Sequence, residues 1–546
     1  MIIDYYYSKI DKSNFYLGMI SQVNRGNGIV QVENLSLLNH RKIKFETLIP
    51  NTINYLVVID SVQGLFLGEI YQSKVNSSDS VHESMNGGRK DSIFPEISVD
   101  IIGLLSDDGK FKLSGFKTVG ITDKVYIANE KLTQKYLTSV EINEYFVDKN
   151  RKNPQIKLDK LAKIGNFDSE YLSLQPNTLF DRHLMAVGTT NSGKSTSALS
   201  ILDKLVLSKR KILIIDPTGE YRNSFSSTEV VKLTLGEDTF LSTKDITEMD
   251  WVKLFGVEDD ANKAFVLTQA IMSLKYQHSI GRNSILIKKG KSASDIKSKL
   301  NPFSGMASEF DLSLLEEQIK EEAIKEDKNT HEYKSDGNVY NALLWLLQIV
   351  SYYKNQTKLI DFFKYSGEDK KLFDEIDKFS KKRRKRSLYI DASRIGTDEG
   401  IGSVIIDLIS NYLINTNLIN SSPFVLFVDE VHRYTKFIST KENNQTGLTS
   451  IAREGRKKGI FLFLTTQNPK DVPEVLLGQV GTMIIHRVTH SEELRAIQNH
   501  IHQNTISQVQ KLNQGEAILT SINLLQDIHV RFEKCKRKHE NSTPIL

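Results

Sequence analysis

Apolar and polar positions follow two different patterns along the chain. Over roughly the first 130 residues, apolar side chains alternate with polar ones on either side of glycine-containing turns, as in YLGMISQVNRGNGIVQVENL and YLVVIDSVQGLFLGEIY. Such alternation predicts β-hairpins. Further short strands are predicted at 98–105, 109–116 and 124–129. Short strands at this regular spacing predict a small β-barrel, which carries no catalytic constellation and is interpreted as an assembly or docking module.

Later in the chain the apolar positions come in continuous runs separated by helical patterns. These runs are HLMAVG, KILIID, SLYID, FVLFVD, IFLFLTT and TMIIHRV. Strands of a parallel sheet that is covered on both faces need such runs, so an α/β fold is predicted. The predicted domains are an amino-terminal β-barrel over 1–146, a linker over 147–160, and an α/β domain over 161–546 with a helical insertion at about 250–385.

Composition narrows the cellular context. The 72 basic residues are nearly balanced by 67 acidic ones, so the net charge of +5 permits nucleic-acid binding without demanding it. The single cysteine, Cys535, excludes an intrachain disulfide and fits a reducing compartment. No apolar run is long enough to span a bilayer, and the amino terminus lacks a signal-peptide pattern. We therefore expect a cytoplasmic protein that does not engage a membrane.

The strongest local signal is a phosphate-binding loop, which fits the pattern G-x-x-x-x-G-K-[ST]. It consists of Gly188, Thr189, Thr190, Asn191, Ser192, Gly193, Lys194 and Ser195, and is followed by Thr196. An apolar strand precedes it and a helical pattern follows it, which distinguishes it from a chance glycine- and serine-rich turn. Lys194 is expected to reach the β- and γ-phosphates of ATP, and Ser195 is expected to bind Mg²⁺. The α/β domain is therefore predicted to be a P-loop ATPase.

Three further strand ends carry candidate catalytic groups. FVLFVDE ends in Asp429, expected to hold Mg²⁺ through water, and Glu430, expected to be the general base. Gln467, after IFLFLTT, can sense the γ-phosphate or position the attacking water, although it could equally be a strand-end cap. Asp216, in DPTGEY, can help polarise water or metal at the nucleotide site, although Asp-Pro-Thr-Gly is also favourable turn chemistry.

Clusters of basic residues raise the question of DNA. They are KKRRKR (381–386), KKGK (288–291) and KCKRK (534–538). The six-residue cluster could grip DNA phosphates, which would be salt-dependent and independent of sequence. It could equally be a solvated loop, for instance one that pairs with the acidic stretch EEQIKEEAIKEDK. Neither alternative is excluded by the pattern.

Taken in order, the motifs resemble one family. The segments RHLMAVGTTNSGKST, IIDPTGEY, LYIDASRI, VLFVDEVHRY, IAREGRKKGIFLFLTTQNPKDVP, IIHRV and GEAILTS are similar to the HerA branch of the HerA/FtsK ATPases, and the barrel resembles the one that precedes the ATPase there. The resemblance implies a RecA-like P-loop ATPase that forms a homo-oligomeric ring, usually a hexamer, and moves on duplex DNA with ATP between neighbouring subunits. It also implies a partner protein. In archaea this is the NurA nuclease, in DNA-end resection, and in bacteria a nuclease or a sirtuin-like NAD-consuming enzyme, often in anti-phage defence.

The resemblance adds three arginines to the expected site. Arg182 matches an arginine that the family uses at the nucleotide, and Arg453 or Arg456 matches its arginine finger. The chain departs from the family where relatives often carry glycine instead of Asn191 and histidine instead of Thr218. These departures indicate a divergent bacterial member and weaken the link to archaeal resection.

Two functions remain open from the sequence. The first is an ATP-driven DNA translocase or helicase that serves an effector in anti-phage defence, or that serves a NurA-like nuclease in resection. The second is a scaffold or switch, in which ATP hydrolysis assembles and activates the effector without processive movement. The separate barrel without chemistry of its own favours keeping the second alternative.

Overall fold

The computed structural model describes most of the chain, namely residues 2–39, 41–43, 46–48, 52–75, 86–87, 93–147, 154–165, 167–355, 359–363, 370–395, 399–416, 421–435 and 446–540. Two compact units are formed, one from residues 1–204 and 481–534 and the other from residues 205–480 and 535–546. The domain boundaries predicted at 146 and 160 stay predictions. Residues 148–153 of the predicted linker lie outside the described residues.

The amino-terminal part of the first unit is a closed barrel. Its elements are α1 (Lys9–Phe15), β1 (Tyr16–Val23), β2 (Asn27–Val32), β3 (Arg41–Ile43), β4 (Glu46–Leu48), β5 (Tyr55–Ser61), β6 (Gly64–Lys74), β7 (Glu96–Leu105), β8 (Phe111–Lys112), β9 (Lys124–Ile127) and α2 (Glu130–Ser139). The strands pair in the order β2-β1-β9-β5-β6-β7, and antiparallel pairing of β2 with β7 closes the ring. Val30, Val57, Phe66, Val99 and Val125 fill its core without solvent exposure. The barrel predicted from the alternating pattern is confirmed.

The remaining strands belong mainly to one sheet in each unit. They are β10 (Leu158–Ile164), β11 (Phe167–Leu174), β12 (Leu184–Val187), β13 (Lys211–Asp216), β14 (Val230–Thr234), β15 (Thr239–Phe240), β16 (Ile324–Glu326), β17 (Tyr333–Ser335), β18 (Lys370–Lys371), β19 (Ser387–Asp391), β20 (Phe424–Val428), β21 (Ile460–Thr466), β22 (Thr482–Ile485), β23 (Glu516–Ser521) and β24 (Ile528–Arg531). The α-helices are α3 (Pro176–Phe180), α4 (Lys194–Leu207), α5 (Glu248–Leu254), α6 (Ala261–Ser279), α7 (Ala293–Leu300), α8 (Leu315–Glu321), α9 (Gly337–Asn355), α10 (Leu372–Ser380), α11 (Glu399–Asn415), α12 (Gly447–Glu454), α13 (Glu474–Leu477), α14 (Ser491–Ile497) and α15 (Gln503–Val509).

The sheet of the first unit brings together strands that are far apart in sequence. Its order is β11-β10-β24-β23-β22-β12. β12 runs parallel to β22, with Val187 opposite Ile485, and the other pairs are antiparallel. The strand that leads into the phosphate loop is therefore bordered by the carboxyl-terminal part of the chain.

The sheet of the second unit is parallel throughout, in the order β21-β20-β13-β19-β14. Every residue of β20, β13 and β19 is buried, which explains their continuous apolar runs. The insertion consists mainly of helices α5 to α10, with a short hairpin of β16 and β17. The predicted α/β fold with a helical insertion is confirmed. None of the described helices combines the length and apolar character that crossing a bilayer requires.

Candidate active site

The phosphate loop connects β12 to helix α4 in the first unit. A Cβ added at Gly188 would lie 2.5 Å from Ser192 Oγ and 2.7 Å from the Cβ of His486. Gly193 has a φ of +111°, which other residues rarely adopt, and a Cβ there would lie 2.8 Å from the Cα of Gly515. Both glycines of the motif are therefore required by the backbone path and by close neighbours.

The loop and the first turn of α4 offer donors that suit a polyphosphate. The backbone N–H groups of Asn191, Gly193, Ser195 and Thr196 donate no hydrogen bond to any residue that the structure describes. Lys194 is buried at the helix N-terminus, where the helix dipole also favours negative charge. The hydroxyl of Ser195 is an oxygen ligand of the kind that Mg²⁺ prefers. These residues fit a magnesium-bound nucleoside triphosphate.

The carboxyl-terminal segment holds the loop from the other side. Gly515 donates its N–H to the carbonyl of Ser192 at 2.9 Å, and Gln514 Nε2 donates to Asn191 Oδ1 at 2.7 Å. Asn191 has a φ of 63°, the left-handed region in which glycine and asparagine are the favoured residues. The family's glycine is thus replaced by a residue that tolerates the same backbone and gains a side-chain partner.

The carboxylates after β20 lie at one edge of the parallel sheet in the second unit. Thr465, on the neighbouring strand β21, accepts a hydrogen bond from the N–H of Glu430 at 2.9 Å and donates one to Asp429. Gln467 Nε2 donates to Glu430 Oε1 at 2.7 Å. Glu430 adopts a left-handed conformation with a φ of 47°, which is strained for a glutamate. The structure therefore brings together three residues that the sequence nominated and fixes the general-base candidate through two neighbours.

His432 is a neighbour of this group that the sequence reasoning did not assign to it. Its Nδ1 lies 3.2 Å from Glu430 Oε2 and 3.2 Å from Thr466 Oγ1, and the side chain is almost buried. Its place two residues after Glu430, in the motif VDEVHRY, was the available signal. His432 therefore packs against the second carboxylate oxygen of Glu430.

Asp216 is fully buried and accepts five hydrogen bonds. Oδ1 accepts from the N–H and hydroxyl of Thr218 and from the N–H of Gly219, at 2.9–3.0 Å. Oδ2 accepts from the N–H of Tyr221 and the hydroxyl of Tyr389, both at 2.9 Å. Burial raises the pKa of the Asp216 carboxyl, while these donors act in the opposite direction. The arrangement favours the turn-forming alternative for Asp216, because both oxygens are already used.

An ion pair beside Asp216 was also missed. Asp391 ends β19 directly opposite Asp216, and it accepts a hydrogen bond from Arg222 Nε at 2.6 Å. Asp391 Oδ1 also accepts from the N–H of Ser393 at 3.0 Å. A pairing between residues 169 positions apart in sequence leaves no local pattern by which it could be recognised.

The three candidate arginines lie near the amino ends of strands, whereas the phosphate loop, the carboxylates and Gln467 follow the carboxyl ends. Arg182 precedes β12, so the length of that strand, about 13 Å, separates it from the phosphate loop of its own unit. Arg453 ends α12, and Arg456 lies in the turn before β21. The seven residues of β21, about 23 Å, separate that turn from Gln467. All three side chains are exposed.

The basic clusters differ in their surroundings. Lys288 is buried and paired with Glu322, and Arg537 forms two contacts with Glu229 at 2.8 and 3.0 Å. Residues 381–386 are exposed and form no ion pair among the described residues. The acidic stretch EEQIKEEAIKEDK pairs with other lysines, among them Lys297. The six-residue cluster therefore stays available to an outside partner.

Comparison with known proteins places these motifs in a family. Residues 162–409 match the family described as "Helicase HerA, central domain", and residues 417–525 match "Helicase HerA-like C-terminal". A probable helicase of Methanocaldococcus jannaschii is 22% identical over 66% of this chain, and the match spans 64% of that protein, which is less than two thirds of its length. A second probable helicase of that organism is 23% identical over 79% of this chain and 81% of its own. The DNA double-strand break repair helicase HerA of Saccharolobus solfataricus is 22% identical, with 66% of each chain covered.

Solved structures of other proteins also align with parts of the chain. The bacterial conjugative coupling protein TrwBdeltaN70 has a TM-score of 0.46 and 12% identity, covering 68% of this chain and 90% of its own. VirB4 of Thermoanaerobacter pseudethanolicus has a TM-score of 0.47 and 13% identity, covering 70% of this chain and 97% of its own.

The two family matches cover more than half of the chain and contain the phosphate loop, the carboxylates and the glutamine described above. The chain therefore belongs to the HerA family of P-loop ATPases.

Proposed function

We propose that the protein hydrolyses ATP and couples hydrolysis to movement along duplex DNA, as a ring of identical subunits that works with an effector protein. The observation that carries the hydrolytic part is the hydrogen bond from Gln467 to the strained Glu430. A carboxylate held in this way is poised to accept a proton, because its orientation is set before the substrate arrives.

Each motif residue has a distinct task in this proposal. Lys194 and N–H groups of the phosphate loop bind the β- and γ-phosphates, and Ser195 and Asp429 would hold the metal. Mg²⁺, when bound, neutralises charge that develops on the phosphates. Glu430 removes a proton from the attacking water, and Gln467 keeps its carboxylate in place. Asp216 contributes indirectly, because it fixes the turn that follows β13.

The position of the arginines supports a site shared between subunits. Arg453 and Arg456 lie at the amino end of β21, far from Glu430 and Gln467 of the same unit. An arginine finger from this segment therefore acts on the nucleotide of a neighbouring subunit. We assign Arg182 the same role, since the length of β12 separates it from its own phosphate loop. Such a finger can contribute about 10³–10⁵ in rate.

The DNA and effector parts of the proposal rest on other observations. Residues 381–386 form an exposed cluster that suits a phosphate backbone, and relatives in this family are named as DNA repair helicases. The sequence of the barrel shows no catalytic constellation, and we propose that the barrel binds the effector. We propose a nuclease or an NAD-consuming enzyme as the effector, and anti-phage defence as the setting.

The test is ATP hydrolysis by the purified protein with and without duplex DNA at low salt. We expect hydrolysis to be stimulated by DNA and abolished by Lys194→Ala. Unchanged hydrolysis together with no DNA binding, with or without the effector, would contradict the translocase. A Glu430→Gln protein that still supports full effector activity would favour a nucleotide-dependent switch instead.

A further inference from the structure

The two residues that follow β22 run alongside the phosphate loop. The parallel register of β12 and β22 continues past their ends, because His486 donates its N–H to the carbonyl of Val187 at 2.8 Å. Thr189, in the loop, then donates both its N–H and its hydroxyl to the carbonyl of Arg487, each at 3.1 Å. The backbone of Arg487 is thereby fixed opposite the second residue of the loop.

His486 makes this position rigid. Its side chain is fully buried, with Nε2 2.8 Å from Ser197 Oγ and Nδ1 2.8 Å from the carbonyl of Glu516. Burial lowers the pKa of His486 to about 4, so the imidazole is neutral and Nδ1–H donates to that carbonyl. The imidazole therefore ties β22 to the P-loop helix and to β23, and Arg487 cannot shift without disturbing the loop.

The side chain of Arg487 has no partner among the residues that the structure describes. It is exposed, and it forms no ion pair or hydrogen bond with any residue in the described ranges. It begins beside a loop that carries Lys194 and unoccupied N–H donors, at the edge of the sheet where phosphates would bind. An additional cation here suits a ligand with several negative charges, and a guanidinium suits phosphate oxygens in particular.

We propose that Arg487 is a further ligand of the nucleotide phosphates, supplied by the same subunit as the phosphate loop. It contacts the phosphate chain from the side of the loop that Thr189 forms. This assignment rests on the proposed ATP site, and it adds a residue from the carboxyl-terminal segment to it. The backbone carbonyl that holds Thr189 is kept in any substitution at position 487, so the loop is retained when the side chain changes.

The experiment measures the dissociation constants of ATP, ADP and AMP for the full-length protein in a Glu430→Gln background, which slows hydrolysis. We expect Arg487→Gln to weaken ATP binding about tenfold and AMP binding much less, because charge-assisted hydrogen bonds to the outer phosphates are lost. Arg487→Lys should recover part of the loss. The matched control is Arg495→Gln, which removes another exposed arginine, on α14, and should leave all three constants unchanged.

Two outcomes would overturn the inference. ATP binding within about twofold of the parent would show that Arg487 is not a ligand, and an equal loss for ATP and AMP would show that it does not contact the β- and γ-phosphates. Lys194→Ala separates this inference from the proposed function. If Lys194→Ala abolishes ATP binding while Arg487→Gln does not, only the role of Arg487 fails. If Lys194→Ala binds ATP normally, the ATP site itself fails.

Discussion

Two groups of charged side chains in the second unit, the carboxylates at the carboxyl ends of the parallel strands and the basic residues 381–386 before β19, are held in opposite ways. At the carboxyl ends, Asp216, Asp429 and Glu430 are 0%, 3% and 8% exposed, and each accepts or donates hydrogen bonds within the unit. Residues 381–386 are exposed and, in the described part of the chain, unpaired with any acidic side chain.

This difference indicates that the buried carboxylates serve the reaction or the fold, whereas the exposed basic residues serve binding to a partner outside the chain. Buried carboxylates with fixed partners are costly to form, and a change there disturbs either the reaction or the fold. Exposed cations contribute little to stability, so a change there alters only what they bind outside the chain. The effect of altering the carboxylates should therefore depend on the chemical group that replaces them, whereas the effect of altering residues 381–386 should depend on total charge and salt.

The largest effect is expected from Glu430→Gln. The amide keeps the shape of the side chain but cannot accept the proton, so the rate of ATP hydrolysis should fall by about 10²–10⁴. ATP binding should change by less than about threefold. Steady-state hydrolysis and equilibrium nucleotide binding are the two measurements. Glu454→Gln, an exposed glutamate at the end of α12, is the matched control, and equal losses in both variants would contradict the role of Glu430.

The next effect is expected from Asp216→Asn, which tests whether this residue supports the fold. The amide nitrogen replaces one carboxylate oxygen and cannot accept hydrogen bonds from the N–H and O–H groups that face it. We therefore expect the free energy of unfolding to fall by about 3 kcal/mol. Tyr389→Phe removes one of the five donors and should cost about 1 kcal/mol. Urea unfolding of both variants measures this. If Asp216→Asn leaves the midpoint unchanged but stops hydrolysis, the residue acts on the nucleotide instead.

The sequence predicted the parts of the site whose chemistry depends on local spacing. The phosphate loop was recognisable because its glycines and Lys194 must follow one another within eight residues, and the structure confirms the strand and helix around it. Asp429 and Glu430 were recognisable because a buried strand ends there. The contact between Glu430 and Gln467 could be anticipated only in outline, since it depends on β20 lying beside β21.

The parts that were not predicted depend on pairings over long distances. His486 lies 289 residues from Ser197, and nothing local marks it as support for the phosphate loop. The sequence pattern also left Asp216 undecided, because turn chemistry and metal chemistry use the same residue type.

A smaller effect, on DNA binding, is expected from changes in the exposed basic residues 381–386. Replacing Lys382 and Arg383 by glutamine should weaken duplex DNA binding about tenfold near 0.1 M salt and reduce the slope of log K against log salt by about 2. The matched control neutralises Lys289 and Lys291, two exposed lysines of the insertion. Both double variants should have the same thermal unfolding temperature as the native protein. An equal loss of DNA binding in both would show that overall charge, not the cluster, is responsible.

The smallest expected effect is a change of folding stability with pH. It tests whether His486, a buried group in the first unit, also responds to a change of its chemical group. The folded pKa of His486, about 4, lies below its ordinary value of 6.5, so the unfolded chain binds more protons between these values. The contribution of neutral, buried His486 to the free energy of unfolding is therefore fully present above pH 6.5, and it is lost as the pH falls towards 4. Between pH 6.5 and 5.5 this costs up to about 1 kcal/mol.

His486→Asn removes the titrating group, and its amide can still donate to the carbonyl of Glu516. Urea unfolding at pH 7.5, 6.5 and 5.5 should show a flatter pH dependence for this variant than for the native protein. His490→Asn, at an exposed position, should keep the native slope. If His486→Asn keeps it as well, the pKa of the imidazole is the same in the folded and the unfolded chain. A steeper loss of stability at low pH in the variant would instead show that the folded imidazole is protonated and donates to both Ser197 and Glu516.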